Sequence, residues 1–284
     1  MILLDLSQVM ISSIMEQAGS HADDLDINLI RHLILNNIRS LKVKFELEYG
    51  ELIIACDDKS YWRREVFPHY KANRKADREK SVIDWNTIFD SLNLIKREIK
   101  ENFPYRVIQV KGAEADDVIG TLVSEFGEVL NNDRKILILS GDKDFIQLQT
   151  YGNVKQYDPV RKKDISSNDP VQFREHLILS GDRGDGIPNV LSPDHCLVEG
   201  IRQKPLRETK INEILKSDIN SLPSDIIRNW QRNRMLIDLT MIPSNIRQDI
   251  LNEYHSQANK SRSNLFNYFI EHRMKILIES IGDF

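Results

Sequence analysis

Four short runs rich in Ile, Leu and Val stand out along the chain: Ile2-Leu3-Leu4, Leu52-Ile53-Ile54-Ala55, Arg106 to Val110, and Ile136 to Leu139. Runs this short without polar alternation read as parallel strands buried on both faces. Between them apolar residues recur at three and four. Ile27, Ile30, Leu33, Ile34, Ile38 and Leu41 form one stripe, Trp85, Ile88, Leu92, Ile95 and Ile99 a second, and Ala115, Val118, Ile119, Leu122 and Phe126 a third. Each predicts an amphipathic helix. Strand and helix alternate, so the expected fold class is α/β, with a mainly parallel central sheet and flanking helices. A hairpin is expected around Val154 to Ile165. Beyond Asp169 the pattern turns helical: stripes run through Ile211, Ile214 and Leu215, then Ile226 to Leu239, Ile246 to Tyr254, and Leu265 to Ile281, with Pro223 and Pro243 as punctuation. Ser166-Ser167-Asn168 marks the expected boundary between an α/β domain, 1–167, and a smaller helical domain, 168–284.

The acids fall where the strands end. Asp5 follows the first strand, Asp57 and Asp58 the second, Glu114, Asp116 and Asp117 the third, and Asp142 and Asp144 the fourth. The carboxyl ends of parallel strands share one edge, where ligands bind. One carboxylate there is most simply a helix cap. Eight in one cleft are costly without a compensating cation. Oxygen donors without His or Cys point to magnesium or manganese rather than zinc. Asp182 and Asp185 join from the helical half, in Ser180-Gly181-Asp182-Arg183-Gly184-Asp185-Gly186-Ile187-Pro188. Its glycines, Gly184 and Gly186 among them, allow a tight turn whose amides can approach a phosphate backbone. A solvated interhelix loop is the plainer alternative for that segment.

Charge changes the picture twice. Thirty-nine Lys and Arg against forty-three Asp and Glu give a net charge of −4, which at face value excludes a nucleic-acid binder. Locally the balance reverses. Residues 59–80 carry eight basic and three acidic side chains, interleaved with Tyr61, Trp62, Phe67 and Tyr70. Basic groups with aromatic rings suit single-stranded nucleic acid, the charges tracking phosphate and the rings stacking on bases. A phosphate-binding stretch that leaves the sheet beside a carboxylate cluster is an arrangement for phosphodiester cleavage. The longest apolar runs fall far short of the ~20 residues a membrane span needs, so no membrane association is expected. The two cysteines, Cys56 and Cys196, form no CxxC pair and have no His cluster beside them, which argues against a disulfide framework or a zinc site. An intracellular, cytoplasmic protein is the natural expectation.

Together these motifs resemble the structure-specific 5′ nuclease (flap endonuclease) superfamily across nearly the whole chain. Leu4-Asp5-Leu6-Ser7 is similar to its first acidic motif, Asp57 to its second, Glu114-Ala115-Asp116-Asp117 to its third and Ser140-Gly141-Asp142-Lys143-Asp144 to its fourth. Gly181 to Asp185 resembles the loop of its helix-three-turn-helix DNA-binding module, and Tyr61-Trp62-Arg63-Arg64 with Tyr70-Lys71-Ala72-Asn73-Arg74 resembles its arch. The resemblance implies a PIN-like fold with an arch over 59–80. It implies a magnesium-dependent 5′-to-3′ exonuclease and flap endonuclease, with ribonuclease H activity on RNA–DNA hybrids, that removes RNA primers in replication. Asp5, Asp57, Asp116 and Asp142, helped by Glu114, would hold one of two magnesium ions, for which manganese could substitute. Asp144, Asp182 and Asp185 would hold the other, with Asp58 and Asp117 behind the ligands. Lys71 and Arg74 would act on the scissile phosphate. Tyr61, Arg63, Arg64, Tyr70, Lys75, Gly184 and Gly186 would contact DNA, with Tyr70 stacking on a base. Flap, nicked or forked DNA and RNA–DNA hybrids are the implied substrates, a single-strand-binding protein and a sliding clamp the implied partners, and a monomer the implied state. The Ile187-to-Pro193 segment departs from the family's Gly-rich hairpin. A non-cleaving structure-specific DNA-binding or scaffold protein is the competing class, but such proteins usually lose some metal carboxylates, and none is missing here.

Overall fold

The structure, a computed structural model, describes residues 1–18, 26–74, 78, 80–81, 83–127 and 134–284. Six strands form one sheet in the order β3-β2-β1-β4-β5-β6. They are β1 (Ile2–Asp5), β2 (Leu52–Ala55), β3 (Arg106–Ile108), β4 (Ile136–Leu139), β5 (Val154–Asp158) and β6 (Lys163–Ile165). The first five run parallel, and β6 returns antiparallel along β5 as the expected hairpin. Strand β3 is shorter than expected, because the chain turns at Val110, whose carbonyl accepts from the Ala113 N–H. From β1 the chain moves outward through β2 and β3, then crosses to β4 on the other side. The switch point therefore lies between β1 and β4, the position at which open α/β sheets bind ligands.

The period-2 geometry of the strands splits their side chains between two cores. Ile2, Leu4, Ile54, Leu137 and Leu139 face one side, where they meet α1 (Leu6–Ala18), α2 (Ile27–Tyr49) and α4 (Trp85–Asn102). Met1, Leu3, Ile53, Ile136 and Ile138 face the other, under α5 (Ala115–Gly127) and α9 (Ser244–Ser256). The expected helices are present, and their ends are set locally. The Asp26 and Asp84 side chains accept from N–H groups in the first turns of α2 and α4, while Asp169 and Pro170 start α6 (Pro170–Ser180). Helix α1 was not anticipated, although Leu6, Val9, Met10 and Ile14 lie buried on one face of it. The last stripe is not one helix but two, α10 (Leu265–Glu271) and α11 (Lys275–Glu279). Arg273 adopts a left-handed φ of 54° between them, and the Met274 N–H reaches back to the Phe269 carbonyl at 2.8 Å. Phe284 is fully buried beside Phe103 and Phe269, so the C-terminal residues belong to the first core.

A buried polar triad fastens that end of the chain. The Arg31 guanidinium donates to both oxygens of Glu98 at 2.6 and 2.8 Å, and the Tyr268 hydroxyl donates to Glu98 at 2.7 Å, joining α2, α4 and α10. Burial raises the proton affinity of Glu98, but the bonds from Arg31 and Tyr268 outweigh it and hold the carboxyl below its ordinary value of 4.5. A depressed carboxyl stabilises the fold above its unfolded-state value, and that contribution is lost as pH falls through the folded value. Glu98→Gln should cost about 3 kcal/mol at pH 7. In denaturant melts, the gap between wild type and variant should shrink steadily on acidification below 4.5.

Candidate active site

The carboxyl edge of the sheet gathers the expected acids, each fixed by a nearby donor. Asp5 ends β1, where its carboxylate accepts from the Gln8 N–H at 3.2 Å and the Ser140 hydroxyl at 3.1 Å. Asp57, just past β2, accepts from the Ser7 hydroxyl at 2.7 Å and from the first N–H of α5, that of Ala115, at 2.9 Å. A helix N-terminus favours a negative charge placed there. Asp116 lies in the first turn of α5, and Asp142 caps the 3₁₀ turn Lys143–Thr150 by accepting from the Asp144 N–H. Ser7, Gln8, Ser140 and Gln156 are supporting residues that sequence reasoning missed. The serines sit inside the acidic motifs, which was a usable signal. Gln156, which donates to the Ser140 and Asp142 carbonyls at 2.9 and 2.6 Å, gave none.

The electrostatics show which acids crowd together. Burial, then the charges of Asp57 and Asp142, push the Asp5 carboxyl up to about 7, against the Gln8 and Ser140 bonds. Asp116 is held well above the ordinary carboxylate range by burial, then by Asp142, Glu114 and Asp5. Asp144 is raised likewise by burial and by Asp142, Asp185 and Asp182. Asp142 opens to solvent at the mouth of the cleft, yet burial within the acidic ring and the Asp185 and Asp182 charges raise it too. Acids from all four strand ends and from the α6 loop thus share one field. None of Asp5, Asp57, Asp116, Asp142, Asp144 or Asp182 forms an ion pair with Lys or Arg among the described residues. An oxygen-only donor set lacking protein counter-charge fits a hard divalent cation. Among the described residues no three such side chains are arranged as a closed ion site.

Glu114, Asp117 and Asp185 differ, because cations from the 59–74 segment hold them. The Arg63 guanidinium is buried, 2.9 Å from both Glu114 and Asp117, and donates to the Leu236 carbonyl at 2.8 Å. Its expected DNA contact is therefore replaced by a structural one: this charge can leave water only with buried carboxylates to meet it. Lys71 pairs with Glu114 and, at 3.4 Å, with Asp185. Although burial disfavours its charge, Asp185 and Glu114 raise its proton affinity and keep it protonated. The Lys71 backbone is left-handed, with φ 55°, and its N–H donates to the Asp185 carbonyl at 2.8 Å. Such strain persists only where surrounding contacts over-determine it. Tyr70 is 2 % exposed. Its hydroxyl lies 2.9 Å from Glu114 and 3.1 Å from Asp185, and its ring packs with Phe67, Ile178, Ile187 and Leu236, so the expected base stacking is not available to it. Arg74 is half-exposed and donates to Asp185 at 2.6 Å. Tyr61 and exposed Arg64 face each other in a cation–π contact at 5.1 Å, as befits a rim. Lys75 lies outside the described residues.

The remaining positions are architectural. Asp58 accepts from the Gly112 N–H and the Ser60 hydroxyl, each at 2.9 Å, closing the loop after β2. Partial burial works against its charge, but these bonds prevail and lower its proton affinity. Asp117 accepts from the Trp62 ring N–H at 3.1 Å and the Glu114 N–H at 2.9 Å. In the loop after α6, the Asp182 carboxylate accepts from the Gly184 and Asp185 N–H groups at 2.7 and 3.2 Å. Gly181 has φ 68°, and a Cβ there would meet the Ile187 carbonyl at 2.4 Å, so glycine is required. Gly184 is exposed. Gly186 is not: it is buried, with a hypothetical Cβ 2.9 Å from the His69 carbonyl, so this glycine admits the 59–74 segment rather than a phosphate. After Pro188 the chain runs through turns, and the next helix, α7, begins at Glu208 (Glu208–Lys216). Burial pushes the Cys56 thiol up to about 12, which removes it as a nucleophile at neutral pH.

A parallel α/β sheet with carboxylates massed at its switch point, and cationic chain folded over them, defines a nuclease class of the PIN-like, resolvase-like type. This chain belongs to the 5′-3′ exonuclease family. Residues 2–177 match the model of the 5′-3′ exonuclease N-terminal resolvase-like domain, and residues 174–284 match that of the T4 RNase H C-terminal domain. It is 34% identical over 294 residues to the ribonuclease H of enterobacteria phage T4, an alignment that covers 99% of this chain and 95% of that protein. It is 33% identical over 180 residues to the flap endonuclease Xni of Shewanella woodyi, covering 61% of this chain and 66% of that one. Among solved structures, the D15 protein of phage T5 co-crystallised with metal ions superposes with a TM-score of 0.65 at 18% identity, covering 91% of this chain and 99% of that chain. The fold is thus the fold of the T5 protein, and the chain is an enzyme of the 5′-3′ exonuclease and flap endonuclease kind. No described helix is long and apolar enough to cross a membrane.

Arg63→Ala should unfold more readily than wild type by about 3–5 kcal/mol, because it strands two buried carboxylates. Guanidinium melts measure this. A variant of unchanged stability but weakened DNA binding would return Arg63 to the DNA surface.

Proposed function

We propose that this chain is a magnesium-dependent 5′-to-3′ exonuclease and flap endonuclease that removes RNA primers and short adjoining DNA from lagging-strand fragments. The observation that carries the reading is the shared electrostatic field of Asp5, Asp116, Asp142 and Asp144, drawn from three strand ends and without an ion pair to Lys or Arg among the described residues. Near-full-length likeness to a phage ribonuclease H supports primer removal. Likeness to flap endonucleases supports flap DNA as substrate. Asp5, Asp57, Asp116 and Asp142, with Glu114, would hold one magnesium ion, and Asp144, Asp182 and Asp185 a second, with manganese as the substitute. When bound by these carboxylates, divalent ions would supply activation of water and stabilisation of the departing 3′ oxygen, chemistry that would leave a 5′-phosphate on the shortened strand.

The protein's own groups position the strand. Lys71 and Arg74, already charged beside Asp185, supply donors to the scissile phosphate, and Tyr61 and Arg64 form the rim over which a single strand enters. Lys71 begins this task tied to Glu114 and Asp185, so engaging phosphate means sharing its three N–H donors. A single-strand-binding protein and a sliding clamp are the proposed partners, the monomer the working unit, and the cytoplasm of the host the compartment. The helical part after residue 167 is the proposed duplex-binding unit, with the Gly181–Asp185 loop as its DNA contact.

Titrating magnesium against a 5′-labelled flap substrate tests the reading: cleavage should vanish with chelator and return with magnesium or manganese. Asp116→Asn should lower kcat/KM by about a thousandfold or more while binding flap DNA as wild type does. Cleavage by that variant at the wild-type rate would sink the assignment. Lys71→Ala should reduce kcat by about a hundredfold at saturating substrate, with KM little changed. A loss confined to KM would instead make Lys71 a plain binding residue.

A further inference from the structure

Helix α8 (Ser224–Ile237) contributes none of the proposed ligands, yet both halves of the second proposed ion site are tied to it by buried amides. Gln147 lies in the 3₁₀ turn Lys143–Thr150 that also carries Asp144. Its amide nitrogen donates to the Asp144 carbonyl at 2.8 Å and to the Ile237 carbonyl at 3.0 Å, while its oxygen accepts from the Leu239 N–H at 2.9 Å. Asn233 precedes Ile237 by one helical turn and so shares its face. Fully buried, it donates to the Ile178 carbonyl at 2.8 Å and to the Pro188 carbonyl at 2.9 Å. Those two carbonyls bracket the loop of Asp182 and Asp185, which is closed between them by the Ile187 N–H on the Asp182 carbonyl at 2.7 Å. A further turn back, Asn229 donates to the Val190 and Ser192 carbonyls at 2.9 and 3.2 Å.

The two halves of this acid set come from different parts of the chain. Asp144 follows β4, and Asp182 and Asp185 follow α6; their charges nevertheless act on one another, as the raised proton affinity of Asp144 records. Apolar packing alone does not set their spacing. Ile178, Ile187, Leu236 and Ile237 share a core with Phe67 and Tyr70, and such contact is adhesive but not directional. Hydrogen bonds are directional, and a buried polar network whose groups are satisfied makes one arrangement rigid. Through Gln147 and Asn233, one face of α8 is bonded to the main chain on both sides of the acidic gap.

We propose that α8 sets the separation of Asp144 from Asp182 and Asp185, with Gln147 and Asn233 as positioning residues, so that affinity for the second divalent ion depends on two amides remote from the ligands' carboxylates. The inference rests on the two-ion reading above and adds what holds the second set of acids in register. Residues that orient metal ligands typically alter metal affinity by about ten- to a hundredfold.

Manganese binding to the free protein, counted by loss of the aqueous manganese EPR signal, tests this without substrate or cleavage. Wild type should take up two ions, and Asp144→Asn should weaken one of them. Gln147→Met and Asn233→Leu, which exchange the amides for apolar side chains of similar size, should weaken that same ion about tenfold or more and leave the other unchanged. Neither should weaken it further in an Asp144→Asn background. Glu98→Gln, destabilised instead at the triad of α2, α4 and α10, should bind both ions as wild type does, which separates positioning from general loosening. Should Gln147→Met fail to fold, Gln147→Asn keeps the amide on a shorter arm and should shift the same ion in the same direction. Wild-type manganese affinity in the folded Gln147 and Asn233 variants, alongside weakened binding in Asp144→Asn, would overturn the role of α8 and leave the two-ion reading standing. Wild-type affinity in Asp144→Asn itself would remove the second ion site, and the proposal with it.

Discussion

The structure is organised around like charges forced together. A parallel sheet delivers the ends of β1, β2 and β4 to one edge, and Asp5, Asp57 and Asp142 stand there because those strands register side by side. Folding cannot avoid the repulsion. It can only distribute it, by hydrogen bonds to the carboxylates, by a helix N-terminus behind Asp57, and by importing cations. The elevated proton affinity of Asp5, Asp116, Asp142 and Asp144 measures how much of the repulsion those devices leave over. That remaining repulsion is what a divalent ion, as proposed for this cleft, would relieve.

The imported cations divide the cleft into two regimes. Arg63 is committed: it is enclosed by Glu114, Asp117 and the Leu236 carbonyl, and it binds the basic segment to both the sheet and the helical layer. Lys71 and Arg74 are conditional. They reach Asp185 and Glu114 from a turn whose left-handed Lys71 backbone is strained, and Arg74 is half open to solvent. Such a backbone conformation persists only because the surrounding contacts over-determine it. Gly186 makes the arrangement possible, because a side chain there would press on the His69 carbonyl and lift the segment away from the loop after α6.

The sheet and its acidic edge were legible in the sequence because both follow from local rules: short apolar runs mark buried parallel strands, and an acid immediately after each run must lie at the same edge. Roles of the basic segment were not legible in the same way. Arg63, Arg64, Tyr70 and Lys71 look alike in a sequence that is simply basic and aromatic, yet Arg63 and Tyr70 are core residues and Arg64 is a rim residue. What separates them is whether a buried carboxylate waits across the fold, and Glu114 is 51 residues away from Arg63. The break in the last helix was hidden for a related reason. Tertiary contacts of Phe269, Met274 and Leu277 with the first core reward a turn at Arg273 that the apolar spacing alone does not require.

Net charge is the property most easily misread. A total of −4 describes no surface of this molecule. The ten acids Asp5, Asp57, Asp58, Glu114, Asp116, Asp117, Asp142, Asp144, Asp182 and Asp185 cluster at one edge, where Arg63, Lys71 and Arg74 join them, and the other thirty-three acids face the remaining thirty-six basic side chains. The body of the protein outside the cleft is therefore basic. Interior cations already answer Glu114, Asp117 and Asp185, so the two divalent ions proposed for the cleft would need to balance only the remainder. An approaching polyanion would then meet a positive body and a cleft whose negative field the bound ions had reduced.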